Sequence, residues 1–180
     1  MNNEAALGTD VIGSAIRSEP NNVQLRQLMV EHLIATNDRT GAIRELDGAI
    51  KANPKNVRAY ELKADLEQQS GDAAAAARTI EALKKELPDQ GIGYFRAGQL
   101  AVAQKKPDVA IKELQQAIQK APQAIEPRVA LVGLYASQNR LDDASRVAEE
   151  FVKAAPRNLL AYQALGEVRL AQKRLPEAEA

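Results

Sequence analysis

One spacing between prolines constrains this chain more than any other feature of its sequence. Pro20, Pro54, Pro88, Pro122 and Pro156 follow one another at intervals of 34 residues, and they make up five of the eight prolines. At a proline frequency of about 5%, four successive hits at one fixed interval would arise by chance about once in a hundred thousand trials. The chain is therefore a tandem repeat with a period of 34 residues.

Other residue types keep the same period. Tyrosine lies six residues after three of the prolines, at Tyr60, Tyr94 and Tyr162. An alanine lies 22 residues after each proline, at Ala42, Ala76, Ala110, Ala144 and Ala178. A small side chain at one fixed place in every unit is typical of two helices that cross closely.

Each 34-residue unit reads as two helices. Between Pro88 and Pro122, apolar residues recur at helical spacing, first over 94–101 and again over 109–118. Pro107 is suited to the first position of the second helix, where a backbone N–H has no intrahelical partner. In the preceding unit, Gly71 is suited to a left-handed turn and Asp72 to a helix N-cap. The content of 45% hydrophobic and 3% aromatic residues favours helices packed through small and aliphatic side chains.

This pattern resembles the tetratricopeptide repeat (TPR), and the resemblance extends over nearly the whole chain. It implies an all-α fold, a right-handed superhelical solenoid of antiparallel helix pairs. The implied units are a second helix of a truncated repeat at 1–22, four repeats at 23–56, 57–90, 91–124 and 125–158, and a truncated fifth repeat at 159–180.

Five residues depart from the family pattern. Arg26 and Arg128 occupy its aromatic position, Lys63 replaces an expected leucine, and Leu83 and Phe151 replace a small residue. The sequence does not determine the local packing at these positions. An arginine there can cover apolar surface with its methylene stem. We expect its charge to stay in water.

Both ends of the chain read as cut repeats, because residues 4–18 resemble a second helix without its first and the sequence stops two residues after Ala178. We expect a fragment of a longer array. A missing second helix would expose Leu165, Val168 and Ala171 on the last full helix. We therefore expect possible self-association through the truncated ends.

The sequence favours no catalysis. It has no cysteine, and its one histidine, His32, has no nucleophile motif or second histidine near it, so we expect His32 to pack. Gly91 and Gly93 lack the spacing and the lysine of a phosphate loop. We expect neither an enzyme nor a metal site nor a cofactor.

Charge and hydropathy do not identify the cellular compartment of the protein. Basic and acidic residues are equal at 24 each, which gives no field suited to nucleic acid or an anionic membrane surface. The start of the chain has no unbroken apolar stretch for a signal peptide, and no segment approaches the ~20 apolar residues of a membrane span. The localisation is unknown, with cytoplasm and periplasm both open.

The family resemblance implies a concave wall formed by outward positions of the first helices. The candidate partner-binding residues there are Arg58, Glu61, Asp65, Ile92, Phe95, Gln99, Val102, Val129, Gly133 and Ala136. The wall is polar and acidic at first and apolar in the third and fourth repeats. One interpretation is a groove for a peptide or helix with apolar anchors and basic flanks. The other is that a tightly wound superhelix buries these apolar residues.

The function that we expect is a protein-binding scaffold or adaptor. A nucleic-acid-binding helical repeat is one alternative, although it would need more basic residues or stacking aromatics on the wall. The non-catalytic arm of a larger enzyme is another. The sequence segments around Lys105 and Asn139 also resemble segments of long bacterial TPR proteins of exopolysaccharide and PEP-CTERM protein-sorting systems. Part of an export assembly is therefore a further alternative.

Overall fold

The computed structural model describes residues 2–19 and 22–172, and every regular element in them is an α-helix. The all-α expectation is therefore confirmed. The helices are α1 (Asn2–Ser18), α2 (Val23–Ala35), α3 (Arg39–Ala52), α4 (Val57–Gln69), α5 (Ala73–Glu86), α6 (Gly91–Ala103), α7 (Pro107–Lys120), α8 (Glu126–Ser137), α9 (Leu141–Ala154) and α10 (Leu159–Ala171). Pro20, Pro176 and Ala178, which entered the sequence argument, lie outside the described residues.

The chain forms two compact units, an N-terminal unit (Met1–Glu86) and a C-terminal unit (Leu87–Ala180). In the N-terminal unit each of the helices α1 to α4 contacts the next one along the chain. Its core is aliphatic and includes Met29, Leu33 and Leu46. Ala42 and Ala76 are 0% exposed, so the alanine column lies where helices meet.

In the C-terminal unit α6 packs on α7, α7 on α8, α8 on α9, and α10 on both α9 and α8. Ala110 and Ala144 are again 0% exposed. A Cβ atom added to Gly98 would lie 2.9 Å from Cδ2 of Leu114. A small residue is needed there because α6 and α7 approach each other so closely.

The turns between α2 and α3, α4 and α5, α6 and α7, and α8 and α9 share one backbone geometry. Its left-handed residue recurs at the period of the repeat, as Asn37 (φ 61°), Gly71 (φ 82°), Lys105 (φ 56°) and Asn139 (φ 58°). In the second pair the N–H of Asp72 donates to the carbonyl of Glu67 at 2.9 Å, and the Asp72 carboxylate accepts from the N–H of Ala75 at 2.8 Å. The predicted roles of Gly71 and Asp72 are confirmed.

The turns that precede α6 and α10 use the repeating proline and tyrosine together. The Tyr94 hydroxyl donates to the Pro88 carbonyl at 3.4 Å, and the Tyr162 hydroxyl donates to the Pro156 carbonyl at 3.0 Å. A proline closes the preceding helix and leaves its own carbonyl available. In both of these turns the tyrosine six residues later satisfies that acceptor.

Arg128 corrects one expectation, because its charged group does not stay in water. The residue is 8% exposed, and its Nη1 donates to the Ala124 carbonyl at 2.6 Å. Its Cζ atom lies 5.9 Å from the centre of the Phe151 ring. Burial lowers the pKa of the guanidinium, and the Glu150 carboxylate opposes that shift. Arg128 and Phe151 thus fill as a pair the space that an aromatic and a small residue fill in the family pattern.

The structure also corrects the expectation that the apolar side of α10 is exposed. Val168 is 2% exposed and belongs to the core of the C-terminal unit, and Leu165 is half-buried against that core. The expected open strip is therefore wrong for these two residues, because their side of α10 packs on α8 and α9. Ala171 is exposed as expected.

Candidate functional site

The predicted partner-binding residues are divided between the two units. Arg58, Glu61 and Asp65 lie on α4 of the N-terminal unit. The other seven lie on α6 and α8 of the C-terminal unit. The predicted wall therefore consists of two groups of residues, one in each unit.

A C-terminal groove lies between α6 and α8, with α7 at its floor. Its volume is about 430 Å³, within the range of ~300–1,000 Å³ that is usual for ligand clefts. It is lined by Gln99, Val102, Leu114, Ala130, Gly133, Leu134 and Ser137. Three of the predicted residues, Gln99, Val102 and Gly133, are thus brought together.

The lining of the C-terminal groove is mostly apolar and open to solvent. Val102 is 46% exposed, while Leu114 beneath it is fully buried at 0%. Gly133 is exposed, and a Cβ atom added to it would meet nothing within 4 Å. At this position no side chain narrows the groove.

The remaining predicted residues of the C-terminal unit do not line this groove. Val129 is 40% exposed and Ile92 is half-buried. Phe95 and Ala136 are half-buried and pack against the core of the unit. For these last two, the interpretation that packing accounts for an apolar residue is supported.

An N-terminal groove between α2, α3 and α4 was not expected from the sequence, which indicated only a polar and acidic surface here. Its volume is about 470 Å³. Its lining is Val23, Arg26, Gln27, Val30, Glu31, Ile34, Ala35, Glu45, Leu46, Ala49, Asn56, Arg58, Ala59 and Leu62. Arg58 is the only predicted site residue among them. Ile34 and Ala35, at outward positions of α2, were the available signal for an apolar surface.

Charged side chains surround the apolar floor of the N-terminal groove. Arg26 Nη1 lies 3.9 Å from Glu45 Oε2. The Gln27 amide donates to Glu31 Oε1 at 2.9 Å. Arg58 is exposed, and neither it nor Glu31 forms an ion pair within the described part of the chain. The groove therefore presents one carboxylate and one guanidinium that a ligand can reach.

His32 has a structural position, as expected. Its Nε2 lies 2.9 Å from the Ala5 carbonyl of α1. A Cβ atom added to Gly8 would lie 2.5 Å from Cε1 of the imidazole, so the glycine gives the ring its space. His32 thus links α2 to α1.

The described residues offer little to other kinds of site. Among residues 2–19 and 22–172, no group of three or more histidine, aspartate or glutamate side chains is placed to hold a metal ion. No helix in that same part of the chain is long and apolar enough to cross a membrane.

Profiles of the tetratricopeptide repeat match the sequence at residues 9–66 and 101–165, and a second profile of the same repeat matches residues 61–125. Together they extend over more than half of the chain. No curated protein sequence matches it.

Several solved structures share the fold. Yeast Tom70 aligns with a TM-score of 0.74 at 18% identity, covering 94% of this chain and 37% of that one. A thermophilic TPR protein from Thermus thermophilus aligns at 0.64 and 17% identity, covering 90% and 89%. YrrB, described as a TPR protein with an unusual peptide-binding site, aligns at 0.58 and 18% identity, covering 94% and 87%. At these identities the likeness concerns the fold alone.

Proposed function

Because this chain belongs to the tetratricopeptide repeat family, we propose that it is a non-enzymatic scaffold that binds a peptide or helix of a partner protein in its C-terminal groove. The supporting observation is the groove itself. It combines the exposed Val102 with an apolar floor and an open backbone at Gly133. An apolar surface that remains open to solvent is typical of a binding site.

The shape of the groove supports this proposal over a flat contact. Two neighbouring helices form its sides, and Leu114 of a third helix forms its floor. Such a groove accepts an extended segment or one face of an amphipathic helix, whose apolar side chains fill it. The peptide-binding site described for YrrB is a precedent for this use of the fold.

The proposal can be tested by selecting displayed random peptides on the whole chain and measuring the affinity of the selected peptides for variants. Gly133→Leu adds a side chain to the lining of the groove, and its Cβ would meet nothing within 4 Å. We expect this variant to weaken binding about tenfold or more, equivalent to about 1.4 kcal/mol.

Gly48→Leu is the matched control. Gly48 is also an exposed helical glycine whose added Cβ would meet nothing within 4 Å, but it does not line the groove. Both substitutions replace glycine with a better helix former, so both should stabilise their helices slightly. Equal affinities for the two variants, or a selection that yields no peptide, would contradict the proposal.

A further inference from the structure

We propose that the N-terminal groove is a second, separate peptide site, selective for a segment in which an acidic residue and a basic residue flank a bulky apolar side chain. The inference rests on the proposed role as a peptide-binding scaffold, but it concerns other residues in the other unit. It assigns a partner chemistry to a surface for which the sequence indicated only polarity.

The floor of the groove accounts for the apolar anchor. Val30, Leu46 and Ala59 are 5%, 3% and 3% exposed and form its base. Ile34, which is 38% exposed, leaves apolar surface open at its side. A volume of about 470 Å³ has room for one large side chain together with part of its backbone.

The charges at the rim account for the flanks. Glu45 has Arg26 as a partner at 3.9 Å, so these two neutralise each other within the groove. Glu31 receives a hydrogen bond from the neutral Gln27 amide, so no opposite charge offsets it. Arg58 lies at another part of the rim. An occupant that carries both a carboxylate and an ammonium or guanidinium group complements both sites.

The repeat register gives a minimum for the spacing between the two charges. Glu31 is the ninth residue of its repeat and Arg58 the second residue of the next, a difference of seven positions on equivalent helices. Seven helical residues correspond to about 10 Å along the helix direction. The sideways separation of α2 and α4 adds to this distance. An extended peptide rises about 3.3 Å per residue, so its two charged residues should be at least three positions apart.

Two probe peptides with blocked ends test this directly. The first is Gly-Asp-Ala-Trp-Lys-Gly, in which the acid and the base are three positions apart, and the second has Asp in place of Lys. The protein contains no tryptophan, so the emission of the peptide indole reports its burial alone. We expect the first peptide to give a saturable blue shift and to bind about fivefold more tightly than the second, as one partly exposed ion pair allows.

Charge reversal then identifies the groove. Glu31→Lys should invert the preference between the two peptides, and Arg58→Glu should weaken the binding of both. Arg44→Glu is the matched control, because Arg44 is exposed on α3 and does not line the groove. The absence of a saturable shift, or an unchanged preference in Glu31→Lys, would overturn the inference.

The same titration separates this inference from the proposed function. Gly133→Leu alters only the C-terminal groove and should leave binding of the first peptide unchanged. If Gly133→Leu removes the blue shift while Glu31→Lys has no effect, the peptide occupies the C-terminal groove. In that case the proposed function stands and the second site does not exist.

Discussion

The same three repeat positions carry opposite chemistry in the two units. In the second repeat, within the N-terminal unit, they are polar or charged, and in the fourth repeat, within the C-terminal unit, they are apolar or aromatic. Each residue lies 68 positions before its counterpart, so the pairs are Lys63 with Leu131, Glu67 with Tyr135 and Thr79 with Val147. All three counterparts belong to the core of the C-terminal unit.

The three polar residues of the second repeat form a connected network with Asp47, and this network links α3, α4 and α5. Lys63 Nζ lies 2.5 Å from Asp47 Oδ1 and 3.6 Å from Glu67 Oε1. The Thr79 hydroxyl donates to Glu67 Oε2 at 2.7 Å. Glu67 is only 6% exposed and Thr79 only 5%, so both would be costly to bury without these partners.

This difference shows what a repeat position determines and what it leaves free. The close approach of the helices decides which positions are buried, and both units bury most of these positions. Either complete apolar packing or a complete set of polar partners satisfies that requirement. An incomplete network is the arrangement that the fold cannot accept at low cost.

The largest expected effect comes from breaking the network. Lys63→Leu removes the cation and leaves the Glu67 carboxylate buried with the Thr79 hydroxyl as its one remaining partner in the network. We expect a loss of about 3 kcal/mol in the free energy of unfolding, as for other broken buried pairs. Urea denaturation followed by circular dichroism measures it, and hydrogen exchange should show the loss in the amides of α4 and α5.

Completing the exchange should reverse that effect. The triple variant Lys63→Leu, Glu67→Tyr and Thr79→Val installs the residues of the fourth repeat, and an adjoining cavity of about 260 Å³ offers room for the ring. Replacing the buried members of a polar network together is often neutral or stabilising. Asp47 remains, but its side chain is 56% exposed and can be hydrated. A triple variant no more stable than Lys63→Leu alone would show that the two units do not share one packing geometry here.

Features that repeat were predictable from the sequence, and features that occur once were not. The alanine column and the turn at Gly71 follow from the period, because one backbone geometry imposes the same steric demand in each unit. The sequence marked Lys63 only as a departure from the family pattern. Its partner Asp47 and the more distant member Thr79 lie in neighbouring helices, and no local pattern connects them.

A smaller effect should be common to both units. Ala42→Leu and Ala110→Leu each insert methylene groups where the native side chain is 0% exposed. We expect each to cost about 1–3 kcal/mol, because overpacking displaces a neighbouring helix. Hydrogen exchange should show the loss mainly in the unit that carries the substitution, since repeats contact only their neighbours.

Ala74→Leu is the control for that pair, because Ala74 is exposed on α5. It should change the stability by less than about 0.5 kcal/mol. If Ala110→Leu is as mild as Ala74→Leu, a nearby space has absorbed the new side chain. The alanine column would then not mark a close helix crossing in the C-terminal unit.

The candidate site was predictable only where outward positions and real grooves coincide. Gln99, Val102 and Gly133 were found because the resemblance to the repeat family implies that they occupy outward positions of the first helices, here α6 and α8. Phe95 was expected on that open side as well, but its ring reaches the core. The N-terminal groove was missed because its floor consists of residues such as Leu46, which sequence patterns identify as core. Periodicity shows which way a residue points, but not how far apart two helices lie.

The smallest effect concerns the left-handed turn, where the two units again differ. The N-terminal unit has glycine there in its second repeat, at φ 82°, and the C-terminal unit has a lysine in its third, at φ 56°. A residue with a Cβ atom is destabilised by about 1 kcal/mol or more in this region, whereas glycine is disfavoured through its more flexible unfolded chain. Lys105→Gly should therefore stabilise the C-terminal unit by about 0.5–1 kcal/mol, and Gly71→Lys should destabilise the N-terminal unit by a similar amount. Both residues are exposed, so neither change alters packing. The midpoint of urea denaturation should move in opposite directions for the two variants. If both move the same way, the lysine side chain contributes more to the turn than its backbone conformation costs.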